Sequence, residues 1–229
     1  MSYLNQFERK VFSQNGEDGI TSELVRLLDP PTFFVEFGVQ TGVECNTRQL
    51  KHLGWCGVCW DSDYADPDRN IYRERVTAEN INELFSKYHI PAAFGVLSID
   101  IDGNDYHVWA NLSTKYRPAI VIIEYNASVP PDQSRTILYD PNFRWDETNY
   151  YGASFLALRH LGARKGYKLV CADARGVNLF FVREDLLSSL PTELFLEPLS
   201  SLYKPPGYGP GNTGHTPDPQ QRAWLEVKS

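Results

Sequence analysis

Four short runs in this chain are apolar at nearly every position rather than at alternate ones. They are residues 33–37 (Phe-Phe-Val-Glu-Phe), 56–60 (Cys-Gly-Val-Cys-Trp), 94–99 and 119–123. A strand that shows one face to water alternates apolar and polar residues, whereas a strand covered on both faces need not. Segments with helical spacing precede and separate the runs, over residues 15–28, 45–53, 79–88 and 105–112, and a further one follows at 152–165. Strands alternating with helices in this way require a parallel, doubly wound α/β sheet. Residues 167–172 and 177–182 flank the turn Asp173-Ala174-Arg175-Gly176 and form a C-terminal antiparallel hairpin. A short strand is expected around residues 73–76, with Thr77 capping the helix after it. The polar stretch 126–148 reads as a long loop, a length that is uncommon without a function.

At 229 residues and 42% hydrophobic composition, the chain makes one domain with a full core, which rules out disorder. Its parts are an N-terminal helix or lid over 1–30, a core over 31–190, and a tail over 204–219. Five prolines and four glycines in that tail preclude regular structure, so a flap, a wrap or disorder is expected, with Trp224 and Leu225 placed to pin the end back. The formal charge of -7 disfavours general nucleic-acid binding. There is no run of about 18 apolar residues, so no membrane span is expected. The N-terminus lacks the apolar stretch of a signal peptide, and four cysteines do not make a disulfide scaffold. A cytoplasmic, reduced, soluble protein is expected. Cys56 and Cys59 have zinc-like spacing without a second pair and read as core residues.

The loop Glu36–Gly42 joins the first strand to a helix, where glycines permit a tight turn and close approach of a ligand. A dinucleotide fingerprint G-x-G-x-x-G would place glycine where Gln40 stands. The second strand ends in Asp61 about 20 residues further on, where a carboxylate can accept both ribose hydroxyls of an adenosine. Asp100 and Asp102 end the next long strand, and Glu124 and Asn126 the one after. Within each pair the spacing of two allows both side chains to face the same way. Four hard oxygen ligands converging in this manner suit Mg²⁺ or Ca²⁺. The same acids could equally hydrogen-bond loop N–H groups without a metal, and both readings stand.

Ser13–Asp18, Phe34–Gly38, Ser98–Tyr106 and Ile123–Asn126 together resemble the class I S-adenosylmethionine-dependent methyltransferases, in particular the FkbM-like and small-molecule O-methyltransferases, over residues 13–183. The resemblance implies a Rossmann-like, mostly parallel seven-stranded sheet with a reversed last strand, and a cofactor lying across the carboxyl ends of the strands. Gln14, Glu36, Gly38, Gly42, Asp61, Ser62 and Asp100 would bind S-adenosylmethionine, with residues 76–80 near the adenine. Asp100, Asp102, Glu124 and Asn126 would orient the acceptor or hold Mg²⁺, as acid or amide ligands do in the metal-dependent members.

His107, one short turn past this stretch, is a candidate base alongside Asp100 and Asp102 as catalytic residues. Tyr125, Tyr139, Trp145, Tyr150 and Tyr151 either wall a substrate pocket or staple their own loop. The expected activity is methylation of a small-molecule hydroxyl on a natural product or sugar. A nucleotide-dependent oxidoreductase, a non-catalytic binding module, and a protein or RNA methyltransferase remain alternatives, and a homo-oligomer stays open. Glu36, Asp61, Asp63, Asp100, Asp102 and Glu124 all fall at expected strand ends, so part of the negative charge is expected to gather on one edge of the sheet.

Overall fold

The computed structural model describes residues 3–196 and 198–228. Among these described residues, nine strands and five α-helices follow in the order α1 (Glu17–Leu28), β1 (Phe33–Phe37), α2 (Arg48–His52), β2 (Cys56–Asp61), β3 (Ile71–Arg73), α3 (Ile81–Lys87), β4 (Ala93–Ile99), α4 (Asp105–Asn111), β5 (Arg117–Glu124), β6 (Arg135–Ile137), α5 (Phe155–Arg164), β7 (Tyr167–Ala172), β8 (Asn178–Arg183) and β9 (Trp224–Glu226). Seven strands form one Rossmann-like sheet in the order β3-β2-β1-β4-β5-β8-β7. All are parallel except β8, which runs antiparallel to both β5 and β7.

The continuous apolar strands pack on both faces. In β5, Val121 and Ile123 join the core with α3, α4 and α5, while Ile120 and Ile122 join the opposite core with α1 and α2. No helix among the described residues is long and apolar enough to cross a membrane. Among the described residues, no two cysteines form a disulfide. Cys59 packs inside as expected, but Cys56 is exposed, because it opens β2 at the strand's amino end, ahead of the residues that pair with β3.

Three local expectations shift. The short third strand lies at Ile71–Arg73, not 73–76, where it pairs with Cys59–Asp61. The helix expected over 45–53 keeps only Arg48–His52. The loop after β5 contains β6, which pairs antiparallel with β9 and so anchors the C-terminus. The Gly/Pro-rich tail is an ordered wrap. Tyr125 Oη donates to Lys204 O at 2.7 Å, Gly207 N to Arg175 O at 2.7 Å, and Asn149 N to Thr216 O at 2.8 Å.

Candidate active-site cleft

The chain leaves β1 toward β2 and β3, then returns to the other side of β1 to form β4 and β5. Loops diverge at such a reversal and open a crevice at the carboxyl ends of the strands. Two cavities of about 310 Å³ each lie there, sharing Gly38, Asp102 and Trp145. The first is lined by Asp61, Ser62, Asp63, Val76, Asn104 and Arg144, among others. The second is lined by Gln14, Glu36, Gln40, Asp100, Glu124, Asn178, Tyr208 and His215.

Gly38 makes this geometry possible. Its φ is +83°, and a Cβ there would lie 1.4 Å from the carbonyl oxygen of Asp100. No side chain fits between β1 and β4 at that level. Gln40 adopts φ +48°, a left-handed conformation that costs a non-glycine residue about 1 kcal/mol. Its N–H donates to Asp61 Oδ2 at 2.7 Å, which ties the loop to the end of β2. Gly42 also has positive φ (+70°), but it lies against Ile71 and lines neither cavity of the cleft.

Asp61 Oδ1 accepts from Asp63 N and Tyr64 N at 2.9 and 3.0 Å. An ionised carboxylate offers about four acceptor positions. Three are taken, which leaves room for one ribose-type hydroxyl rather than the two expected. The Ser62 hydroxyl donates to Asp63 and lines the first cavity.

Glu36 is buried and accepts from Asn46 N at 2.8 Å, Thr47 N at 3.0 Å and the Thr47 hydroxyl. These bonds satisfy two N–H groups just ahead of α2, which starts only at Arg48. Burial still holds the Glu36 carboxyl above its ordinary range. Gln14 and Asn15 reach the second cavity because two buried acids fold the segment before α1. Asp18 accepts from Val11 N, Phe12 N and Ser13 N. Glu17 accepts from Asn15 N, Gly16 N and the Asn178 amide. Burial raises the Glu17 carboxyl, but its donors outweigh that and hold it below the ordinary range.

Carboxylate oxygens of Asp100, Asp102 and Glu124 lie within 4.8 Å of one another. Burial, then the charges of Asp102 and Asp105, push Asp100 well above the usual carboxylate range. Burial, then Asp100 and Asp102, do the same to Glu124. Asp102 reaches the cluster through a left-handed turn (φ +55°) rather than by strand alternation. Asp105 accepts from Ile101 N and Gly103 N and fixes that turn, while burial raises it to about 6.

Besides Gly42, two expected site residues stand apart. Asn126 does not join the acids. Its Nδ2 donates to Asn149 O and Tyr151 O, and its Oδ1 accepts from Ser128 N. β5 ends at Glu124, so the alternation that would align residues 124 and 126 has already stopped. His107 bonds Ile137 O through Nε2 at 2.9 Å, between the rings of Tyr106 and Tyr139, and lines neither cavity. Of the loop aromatics, Trp145 walls the cleft. Tyr139 and Tyr150 are stapled elsewhere, to Glu79 and to Ala223 O.

Sequence reasoning missed the tail's contribution. Tyr208 Oη meets Tyr151 Oη at 2.6 Å, and His215 packs against Trp145, Tyr208 and Tyr151 with ring centroids 4.5, 5.1 and 5.7 Å away. The signal available was an aromatic and an imidazole within an otherwise Gly/Pro-rich segment. Burial pushes His215 below its ordinary value and raises Tyr208 to about 12, so both are neutral near pH 7. Both cavities also contain buried acceptors with no partner among the described residues: Asn104 Oδ1 in the first, Glu124 Oε2 and Asn178 Oδ1 in the second. Buried polar groups left unpaired are costly, which marks these as places for a ligand's donors or a cation.

A cleft of this kind lies at the reversal point of a doubly wound sheet, where open α/β sheets as a class take their ligands. No protein-family model matches the chain, and a search of curated proteins finds no match. Among solved structures, the chain is similar to the N-terminal domain of EvdMO1 with SAH bound (TM-score 0.46, 11% identity, covering 75% of this chain and 82% of that one). It is also similar to an O-methyltransferase family protein from Burkholderia thailandensis (TM-score 0.40, 9% identity, 73% and 57% covered). The pyocyanin biosynthetic protein PhzM is a further match (TM-score 0.32, 14% identity, 71% and 54% covered).

Proposed function

We propose that this chain transfers a methyl group from S-adenosylmethionine to a hydroxyl oxygen of a small-molecule acceptor. The observation that carries the reading is the pair of cavities meeting at Gly38, Asp102 and Trp145, one ending on the Asp61 carboxylate and the other walled by acids. Asp61 Oδ2 would accept one ribose hydroxyl. Asn104 Oδ1, buried without a partner among the described residues, would accept from the adenine amino group. Gly38 lets the ligand's middle pass close to the backbone, and Glu36, Asp100 and Gln14 line the cavity that would take the amino-acid end and the acceptor.

Bound there, the cofactor supplies an electrophilic methyl on a positively charged sulfur. The acid wall would offset that charge, whereas a neutral or anionic cofactor finds no such complement. The enclosing tail, through Tyr208 and His215, together with Trp145 of the loop after β5, would exclude water and orient the acceptor for an in-line approach. His215, neutral and without a hydrogen-bond partner among the described residues, would take the acceptor's proton on a ring nitrogen as the new C–O bond forms.

Asp100, Asp102 and Glu124 also fit a divalent cation, since they are hard oxygen donors brought together against their own repulsion and Glu124 Oε2 has no partner among the described residues. Mg²⁺ held by them would act as a Lewis acid that lowers the pKa of the acceptor hydroxyl. Calorimetry with S-adenosylhomocysteine and with NAD tests the reading. Binding of the former alone supports it, and tight binding of NAD alone overturns it.

A further inference from the structure

A third cavity, of about 480 Å³, lies beside the start of α2 on the far side of the segment that holds Glu36. Its inner wall is Phe34, Cys45, Cys59 and Ile71, all buried. Gly42 gives the loop room beside Ile71, where a Cβ would come within 2.5 Å of Cδ1. The rim is Arg48, Lys51, His52 and Arg69. In a chain of net charge -7, no carboxylate among the described residues lines this cavity, whereas the two cavities of the cleft are rich in acids.

The rim cations are unevenly satisfied. Arg69 pairs with Asp66. Arg48 donates to Val43 O at 2.7 Å, and Lys51 donates to Arg69 O at 2.6 Å. Neither Arg48 nor Lys51 has a carboxylate partner among the described residues. An ammonium carries three donors and a guanidinium five, so most of theirs remain available. Phe12 braces the rim, stacked on His52 at 4.6 Å and with the Arg48 guanidinium 4.6 Å from its ring centroid. Val43 and Leu53, at either end of this segment, expose 59% and 64% of their surface and extend the apolar character outward.

We infer that this cavity is a binding site, separate from the cleft, for an apolar-bodied anion such as a medium-chain carboxylate or alkyl phosphate. The alkyl body would displace water from Phe34, Cys59 and Ile71, and the head group would lie between Arg48 and Lys51. Volume, apolar lining and convergent cations together are what small-ligand sites present. Cys45 lines both this cavity and the second cavity of the cleft, so the two ligands would be divided by the 45–47 segment.

Isothermal titration with sodium decanoate, decyl phosphate and decyltrimethylammonium, each below its micelle concentration, tests the inference. Saturable one-site binding of either anion, with none of the ammonium, is expected, and the two anions rank the head groups. Arg48→Glu with Lys51→Glu should weaken the anion by about tenfold or more, and Lys51→Glu alone, at an exposed position, should do so in part without risk to folding. Unchanged melting temperature in both variants is the folding control. No binding of either anion, equal binding of the ammonium, or undiminished binding by the folded variants overturns the inference. Affinity for S-adenosylhomocysteine, measured on the same wild-type sample, tests the methyltransferase reading separately, because this site does not depend on it.

Discussion

Replacing Glu124 by Gln should stabilise the ligand-free protein at pH 8 and leave it nearly unchanged at pH 5. Oxygens of Glu124, Asp100 and Asp102 lie within 4.8 Å of one another. Two unit charges at that separation repel by about 1 kcal/mol in a water-like dielectric and about 3.5 kcal/mol at an effective dielectric of 20. The partial exposure of the cluster argues for the lower half of that range. The folded-state pKa of Glu124 is raised, first by burial and then by Asp100 and Asp102. The folded protein therefore holds a proton that the unfolded chain releases near its ordinary carboxylate value. Stability is lost as pH rises from that value through the raised one. A glutamine at this position carries no charge and removes this loss.

A gain of about 1–2 kcal/mol at pH 8 should raise the melting temperature by about 2–8 °C for a chain of this size. Thermal melts of wild type and variant at pH 5 and pH 8, without divalent cation, measure it, and adding Mg²⁺ should narrow the gap by stabilising wild type alone. A variant that melts at or below wild type at pH 8 would show that Glu124 is compensated within the fold. The acid wall would then owe nothing to a cationic ligand.

Gly38→Ala should abolish binding of S-adenosylhomocysteine and cost about 3 kcal/mol or more of stability, read by chemical denaturation, because the new Cβ meets the Asp100 carbonyl. His215→Asn should lower turnover by about 10²–10⁴-fold with cofactor affinity unchanged. Since burial lowers the His215 pKa, wild-type kcat/KM should climb with pH along a limb below the ordinary value of 6.5, and the variant should lose that limb. Trp224→Ala removes the ring packed on Tyr150 at 5.0 Å and under Arg135, so limited proteolysis should cut the 204–219 wrap faster while the core stays intact.

The sheet was legible because its signal is local. Continuous apolar runs put β1, β2, β4 and β5 within two residues of their true limits, and the hairpin strand Tyr167–Ala172 was placed without error. Elements decided by distant partners were not legible. β3 has three residues, too few for periodicity to fix, and its position follows from pairing with β2. β6 exists only because β9 returns to it from the far end of the chain. The first turn expected for α2 is missing, and the N–H groups of Asn46 and Thr47 there bond the distant Glu36 carboxylate instead, a partner that local periodicity does not show.

At the site, residues read from strand ends did gather: Glu36, Asp61, Asp100, Asp102 and Glu124 line one cleft. Gly42, Asn126 and His107 did not: Gly42 lies against Ile71, Asn126 was placed by extending the β5 alternation beyond Glu124, and His107, although on the helix expected for it, faces Ile137 O rather than the cleft. Tyr208 and His215 arrive on the tail wrap, whose path rests on long-range bonds to residues 125–151 and 175 that no local pattern encodes.

The most direct measurement is a crystal structure of the protein with S-adenosylhomocysteine and Mg²⁺. Adenosine density beside Asp61, Ser62 and Asn104, with the sulfur near Gly38 and Asp102 and the acceptor cavity open toward His215, is the expected result. Density for the ligand outside this cleft, or a cleft that stays empty at saturating ligand, would contradict the proposed function. A metal peak among Asp100, Asp102 and Glu124 would answer the cation question in the same crystal.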